Sequence, residues 1–208
     1  MGKNSNYSWA FVDDMTELYF SSPDHMRSVF TSDHVKEVVG PDGEAFSDFG
    51  AANAMLSGGD QVIWGDAGSG IDAAFVANYY IEAKGTPDDG AEFVANIQPV
   101  LLECIDKVGA GQVSKVVVTV RSPDPAHILK YFGGDTSSPN YSAVFTMYLN
   151  SVHSAPFIRK VQSAFEEQAS AQLKRESAVI TFGKRALMFD QTRGLKFDKS
   201  RQPVFEEL

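Results

Sequence analysis

One cysteine, Cys104, stands in 208 residues. A lone thiol forms no intramolecular disulfide and no zinc-binding cysteine cluster, and this usage fits a reducing compartment. Positive charge is also scarce: 18 Lys and Arg stand against 27 Asp and Glu, a net charge of −9. That balance disfavours a nucleic-acid binder built on phosphate contacts and a polybasic membrane-surface protein. No apolar run approaches the ~18 residues of a membrane span. The opening Met1-Gly2-Lys3-Asn4-Ser5-Asn6 has no apolar segment of the secretory kind. The expectation is a cytoplasmic protein without nucleic-acid or membrane partners. G-x-S-x-G, HExxH, Walker A and EF-hand patterns are absent as well, so neither a metal site nor a cofactor is expected.

What is present is an apolar payload large enough for a core. Hydrophobic residues make up 43%, with 15 Phe, 7 Tyr and 2 Trp, too many for a disordered chain. The acidity is uneven, with 3 basic against 11 acidic residues in positions 1–70 and near balance after that. The excess reads as a solvated acidic face. Gly65, Gly68 and Gly70 fall in a short glycine-rich stretch. A phosphate-binding loop would need a helix next, whereas residues 73–83 alternate and are rich in Phe, Val, Tyr and Ile, so residues 65–71 read as a linker.

Beyond it, residues 73–83, 115–121, 141–149 and 178–189 carry strand patterns. Phe93, Ile97, Val100, Leu101, Cys104 and Val108 recur at helical spacing, with Pro99 either kinking that helix or starting its second half. Asp124 caps a short helix over 125–132, and residues 154–176 form a longer one with Phe157, Val161, Phe165 and Leu173 on one face. The order βαββαβ over 72–190 is that of a ferredoxin-like α+β unit, and 191–208 form a tail. Residues 1–64 show the same grammar in half measure. A strand over 7–12 precedes a helix started by Ser22-Pro23-Asp24, and a second helix from Ser32-Asp33 ends at Gly40-Pro41. One or two strands broken by Gly58-Gly59 follow within 51–64. A short internal repeat supports the division, since Asn6-Tyr7-Ser8-Trp9-Ala10-Phe11 matches Asn140-Tyr141-Ser142-Ala143-Val144-Phe145. An additional N-terminal β-α-β half unit is therefore expected. One and a half such units leave a sheet edge and an apolar face uncovered, which predicts a homodimer.

Three stretches resemble the fungal EthD-type branch of the dimeric α+β barrel superfamily. They are Tyr7-Ser8-Trp9-Ala10-Phe11-Val12-Asp13-Asp14, Phe20-Ser21-Ser22-Pro23-Asp24-His25 and Gly40-Pro41-Asp42-Gly43-Glu44-Ala45-Phe46-Ser47-Asp48. The resemblance implies an antiparallel sheet with helices on one face, two such sheets closing a dimeric α+β barrel around a cavity. It implies small cofactor-free enzymes that decarboxylate, dehydrate, cyclise or oxygenate aromatic polyketide-like substrates, alongside haem enzymes and proteins of unknown role. Where EthD-like first helices often carry histidines before a proline, this chain has Val94-Ala95-Asn96-Ile97-Gln98-Pro99.

Strand alternation sorts the candidate site residues. If the apolar set faces the helices, Asn78, Tyr80, Glu82, Thr119, Arg121, Thr146 and Tyr148 share the other face. His127, just inside the short helix, and His153, between the third strand and the long helix, sit at strand ends where a group titrating near neutral pH is useful. His25 and His34 follow an Asp in a helix first turn and read as exposed, and Glu166-Glu167 read as a solvated face. The enzyme reading is a cofactor-independent lyase or cyclase, such as a decarboxylase or dehydratase. In it His153 or His127 supplies a proton, Arg121 holds an anion, Tyr80 and Tyr148 orient an aromatic small molecule, and Asn78 and Glu82 complete the pocket. The alternative is a non-catalytic barrel that binds a hydrophobic small molecule or serves in assembly.

Overall fold

Residues 17–46, 55–66, 75–85, 90–109, 111–122, 140–185, 194–196 and 198–201 are described by the computed structural model of the chain. Among these residues there are five strands: β1 (Ser57–Trp64), β2 (Phe75–Ile81), β3 (Val113–Arg121), β4 (Ala143–Leu149) and β5 (Val179–Lys184). They form one antiparallel sheet in the order β1-β3-β4-β2-β5. Four α-helices accompany them among the described residues: α1 (Pro23–Phe30), α2 (Gly40–Phe46), α3 (Ala91–Cys104) and α4 (Ala155–Gln168). The chain is thus α+β, and β2 to β5 with α3 and α4 between them are compatible with a ferredoxin-like fold.

Alternation along the strands sets the layers. Ala77, Tyr79 and Ile81 of β2, Val116 and Val118 of β3, and Phe145 and Met147 of β4 point to one face. There they join Phe93, Ile97, Leu101 and Cys104 of α3 and Ile158, Val161 and Phe165 of α4 in a single core. Tyr79, Phe145, Phe165, Ile97, Leu101 and Ile158 retain none of their surface. Burying each such side chain stabilises the fold by roughly 1.5–3 kcal/mol relative to exposure.

Two compact units are present, Met1–Leu56 with Pro123–Asn140, and Ser57–Ser122 with Tyr141–Leu208. In the first, Ser22 caps α1 by accepting the His25 N–H at 3.1 Å, with Pro23 in the first turn. The Phe20 ring lies 5.8 Å from those of His25 and Phe30.

Several sequence expectations change. β1, expected in the N-terminal half unit, is hydrogen-bonded to β3 and belongs to the main sheet. Gly58-Gly59 does not break it; the register shifts between Ser57 and Asp60, and Gly59 takes φ 132°, so the pair is absorbed as an irregularity of one strand. Gly40-Pro41 does not end the second helix. A π-helical turn, Val35–Val39, runs directly into α2, and Pro41 stands in the first turn of the new segment, where its missing N–H matters least. Pro99 lies inside the continuous α3.

The long helix ends at Gln168 rather than at 176. Lys84 draws the chain away there: its Nζ donates to Ser170 O at 2.7 Å and its N–H to Gln172 O at 2.7 Å, while Leu173 bridges Ala83. Glu166 is buried, with 4% of its surface left. Its Oε1 accepts the Tyr79 hydroxyl at 3.0 Å and Gln162 Nε2 at 2.7 Å, and Arg175 Nε stands 3.6 Å from Oε2. Burial first, then the Glu166 charge, push the Tyr79 phenol above its ordinary range, so it remains a donor. The strand expected over 7–12 and the helix expected over 125–132 lie outside the described residues.

Two substitutions probe this packing. A Cβ at Gly90, ahead of α3, would stand 2.2 Å from Ser142 O and 2.9 Å from Val120 Cγ1. Gly90→Ala is therefore expected to cost about 1–3 kcal/mol, read as a lowered urea midpoint. Tyr79→Phe removes one of the bonds to buried Glu166 and is expected to cost about 1.5–3 kcal/mol. An unchanged midpoint for Tyr79→Phe would refute the bond's structural weight.

Candidate functional site

The face of the sheet opposite α3 and α4 is where the polar residues collect. Strand register arranges them in rows across the sheet. Lys115, Tyr148, Val76 and Gly183 form one row; Val117, Thr146, Asn78 and Thr181 the next; Thr119, Val144, Tyr80 and Val179 the third. Arg121 closes the series beside Ser142, whose carbonyl accepts the Arg121 N–H at 3.0 Å. Successive rows are two residues apart, so Lys115 and Arg121 stand roughly 20 Å from each other along β3.

At the Arg121 end, Glu82 does not neutralise the guanidinium. Its Oε1 forms an ion pair with Lys174 Nζ, and its carbonyl accepts the Lys174 N–H at 2.9 Å, so one residue holds both ends of it. Arg121 is half-buried, and among the described residues no acceptor bonds its guanidinium. Burial lowers its basicity and the nearby Glu82 charge partly restores it. The Tyr80 ring lies 5.2 Å from that of Tyr141, at an interplanar angle of 45°. Burial, then Glu82, push the Tyr141 phenol up, which keeps it protonated.

In the middle, the Thr146 hydroxyl donates to Asn78 Oδ1 at 3.0 Å, with 7% and 5% of the two residues exposed. The Asn78 amide N–H donors face no acceptor among the described residues. Thr119, expected on the face, uses its hydroxyl on Asp60 Oδ1 at 2.7 Å. At the far end, Lys115 Nζ lies 4.1 Å from the Tyr148 ring centroid and Arg185 Cζ 5.7 Å.

The predicted constellation is therefore brought together only in part. Arg121, Tyr80 and Glu82 share one end, Asn78 lies at the middle, and Tyr148 stands at the other end with two cations. His153 belongs to neither. It is exposed in the turn Val152–Ser154 that leads into α4, and its N–H donates to Ser151 Oγ at 3.1 Å, so the connection carries it toward the helix layer and away from Arg121. His127 lies outside the described residues. Counting alternation from residue 141 puts Tyr141 on the apolar side. Regular pairing starts at Ala143, so Tyr141 precedes the strand and escapes that count. Lys115 shares the phase of Val117, Thr119 and Arg121 in the sequence, and this periodicity places it on the same face. Among the described residues no group of three His, Cys, Asp or Glu side chains is placed to hold a metal ion, and no helix is long and apolar enough to cross a membrane.

The EthD domain model matches residues 2–50. The chain is EthD-like over that segment, which contains α1 and α2, whereas every residue of the polar sheet face falls outside it. No curated protein matches the chain.

The buried Asn78–Thr146 pair gives a direct check. Thr146→Val strips Asn78 Oδ1 of its donor in a dry position and is expected to destabilise the fold by about 1–3 kcal/mol, measured by urea denaturation. A neutral effect would mean that the pair does not hold the face in order.

Proposed function

We propose that the chain binds an acidic aromatic small molecule against the polar face of its sheet and acts on it as a cofactor-independent lyase or cyclase, with polyketide-like metabolites as the substrate class. One observation carries this reading. The Arg121 guanidinium and the Asn78 amide are donors without acceptors among the described residues, while the Glu82 carboxylate beside them is engaged by Lys174. Buried donors normally find partners. A ligand rich in acceptors and carrying negative charge completes such a face, and the Tyr80 and Tyr141 rings supply apolar area for an aromatic body.

In this reading Arg121 clamps a carboxylate or a developing enolate, more strongly than in water because the site is partly desolvated. The Tyr80 and Tyr141 rings flank that anion and hold an aromatic body beside it. A non-catalytic binder is the second reading. The position of His153 favours it, since that histidine lies in the turn leading into α4 and not on the polar face.

Barrel closure by a second copy belongs to the same proposal. Among the described residues β1 and β5 are the outer strands of the sheet, and pairing or stacking against a second sheet would enclose the polar face. Sedimentation equilibrium at micromolar concentration is expected to give a dimer. A single 22.7 kDa species would remove the dimeric barrel.

For the site, Arg121→Ala is expected to weaken binding of a hydroxybenzoate by about 1.5–3 kcal/mol, measured by titration calorimetry with thermal unfolding as the control for folding. Equal affinity in the variant and the parent protein would dismiss the anion clamp. Native mass spectrometry for a retained ligand, followed by an assay for turnover of that ligand, separates the enzyme from the binder.

A further inference from the structure

At the end of the polar face remote from Arg121, Lys115 breaks a general rule. Only 6% of the residue is exposed. A buried ammonium ordinarily has a carboxylate or several oxygen acceptors. Among the described residues nothing accepts a hydrogen bond from Lys115 Nζ and no carboxylate stands within 4.0 Å of it. Its contact is the face of Tyr148, at 4.1 Å, and the second group over that ring is another cation, Arg185, at 5.7 Å. An aromatic face attracts a cation but supplies no acceptor for its three N–H bonds. The like charge of Arg185 adds repulsion at Lys115 that an anion against Lys115 Nζ would relieve.

There is also room. Lys115, Tyr148, Val76 and Gly183 lie in one row across β3, β4, β2 and β5, and among the described residues a Cβ built on Gly183 would meet nothing within 4 Å. The row contains no acidic residue. Burial, then the Arg185 charge, hold the Lys115 ammonium below its ordinary range, which agrees with a cation short of compensation.

We propose that Lys115, with Arg185 as a second cation over the Tyr148 ring, forms an oxyanion-binding subsite for the carboxylate or phosphate of a small molecule. Lys115 supplies a point charge with three donors, and Arg185 adds positive charge nearby. Tyr148 orients both cations and stacks on any apolar part attached to the anion. The subsite is separate from Arg121, three rows away, and does not depend on what Arg121 binds.

The full chain, titrated separately with benzoate and inorganic phosphate at constant ionic strength, tests this. Binding is read from the amide resonances of Val76 and Gly183, which share the row with Tyr148. At least one probe is expected to saturate those shifts, and the tighter of the two distinguishes a carboxylate source from a phosphate source. Lys115→Met is expected to weaken that binding roughly tenfold or more, the effect of losing a charge-assisted hydrogen bond. Lys115→Arg should retain most of it, and Arg121→Ala should change it by no more than about twofold, as for an independent site. Should Lys115→Met fail to fold, Arg185→Gln carries the test, with a severalfold loss expected. Absence of saturable shifts with both probes, parent-like binding in the variant tested, or a loss in Arg121→Ala equal to that in Lys115→Met overturns the subsite.

Discussion

The hydrogen bond from the Tyr79 hydroxyl to Glu166 ties the central strand β2 to α4, and the two-residue period of that strand carries its consequence across the sheet. With Tyr79 inward against Phe165, at 5.9 Å between rings, Asn78 and Tyr80 must point to the other face. A slip of one residue would press Asn78 against α4 and strand Tyr79 on the open side. Glu166 makes the alternative still worse, because its charge is tolerable in the core only while Tyr79, Gln162 and Arg175 surround it. One polar cluster under the sheet thus specifies which side chains lie above it. This is a role for buried polarity in register rather than in net stability.

Much of this is legible in the chain itself. The run Lys115-Val116-Val117-Val118-Thr119-Val120-Arg121 alternates except at Val117, as a strand with one face in a core should, and the apolar spacing of Phe93, Ile97 and Leu101 marks the helix that covers it. Less legible are features decided by contacts distant in sequence. Whether Ser57–Trp64 joins a local half unit or the edge of the main sheet depends on pairing with β3, far along the chain, and nothing local encodes it. The shortened α4 has the same origin, since Lys84 and Ala83 capture the chain after Gln168 although its pattern still reads as helix. Glu166 next to Glu167 looks like a solvated pair, and only the Tyr79 hydroxyl opposite explains why one is buried and the other is not.

The candidate site is legible as a face but not as a site. Periodicity assigns side chains to a side of a sheet; it says nothing about which neighbour takes up each donor and acceptor. Glu82 and Arg121 look like natural partners in the sequence, yet Lys174 approaches from the turn beyond α4 and takes the carboxylate. Thr119 looks available, yet β1 brings Asp60 to it. Glu82 and Asp60 are therefore engaged, and among the described residues Arg121, Lys115 and the Asn78 amide are left as donors. Register also separates what the sequence groups, with Tyr148 and Arg121 at opposite ends of the strands.

The net charge sharpens the meaning of those remaining donors. A chain of −9 repels anions at long range, and its acidic excess is concentrated in positions 1–70. At physiological ionic strength that repulsion fades over a Debye length of roughly 8 Å, whereas the attraction of a partly buried cation for an anion in contact is strengthened by its low-dielectric surroundings. Distance therefore decides between the two fields. An anion seated against Arg121 or Lys115 is governed by the local charge, and the acidity of the remainder acts mainly on the rate of its arrival. Net charge disfavours partners that rely on many dispersed phosphate contacts, since each such contact would be made on an acidic, solvent-screened surface. It does not exclude a small ligand with one or two anionic groups, because such a ligand needs only the few desolvated cations that this sheet face holds in fixed positions.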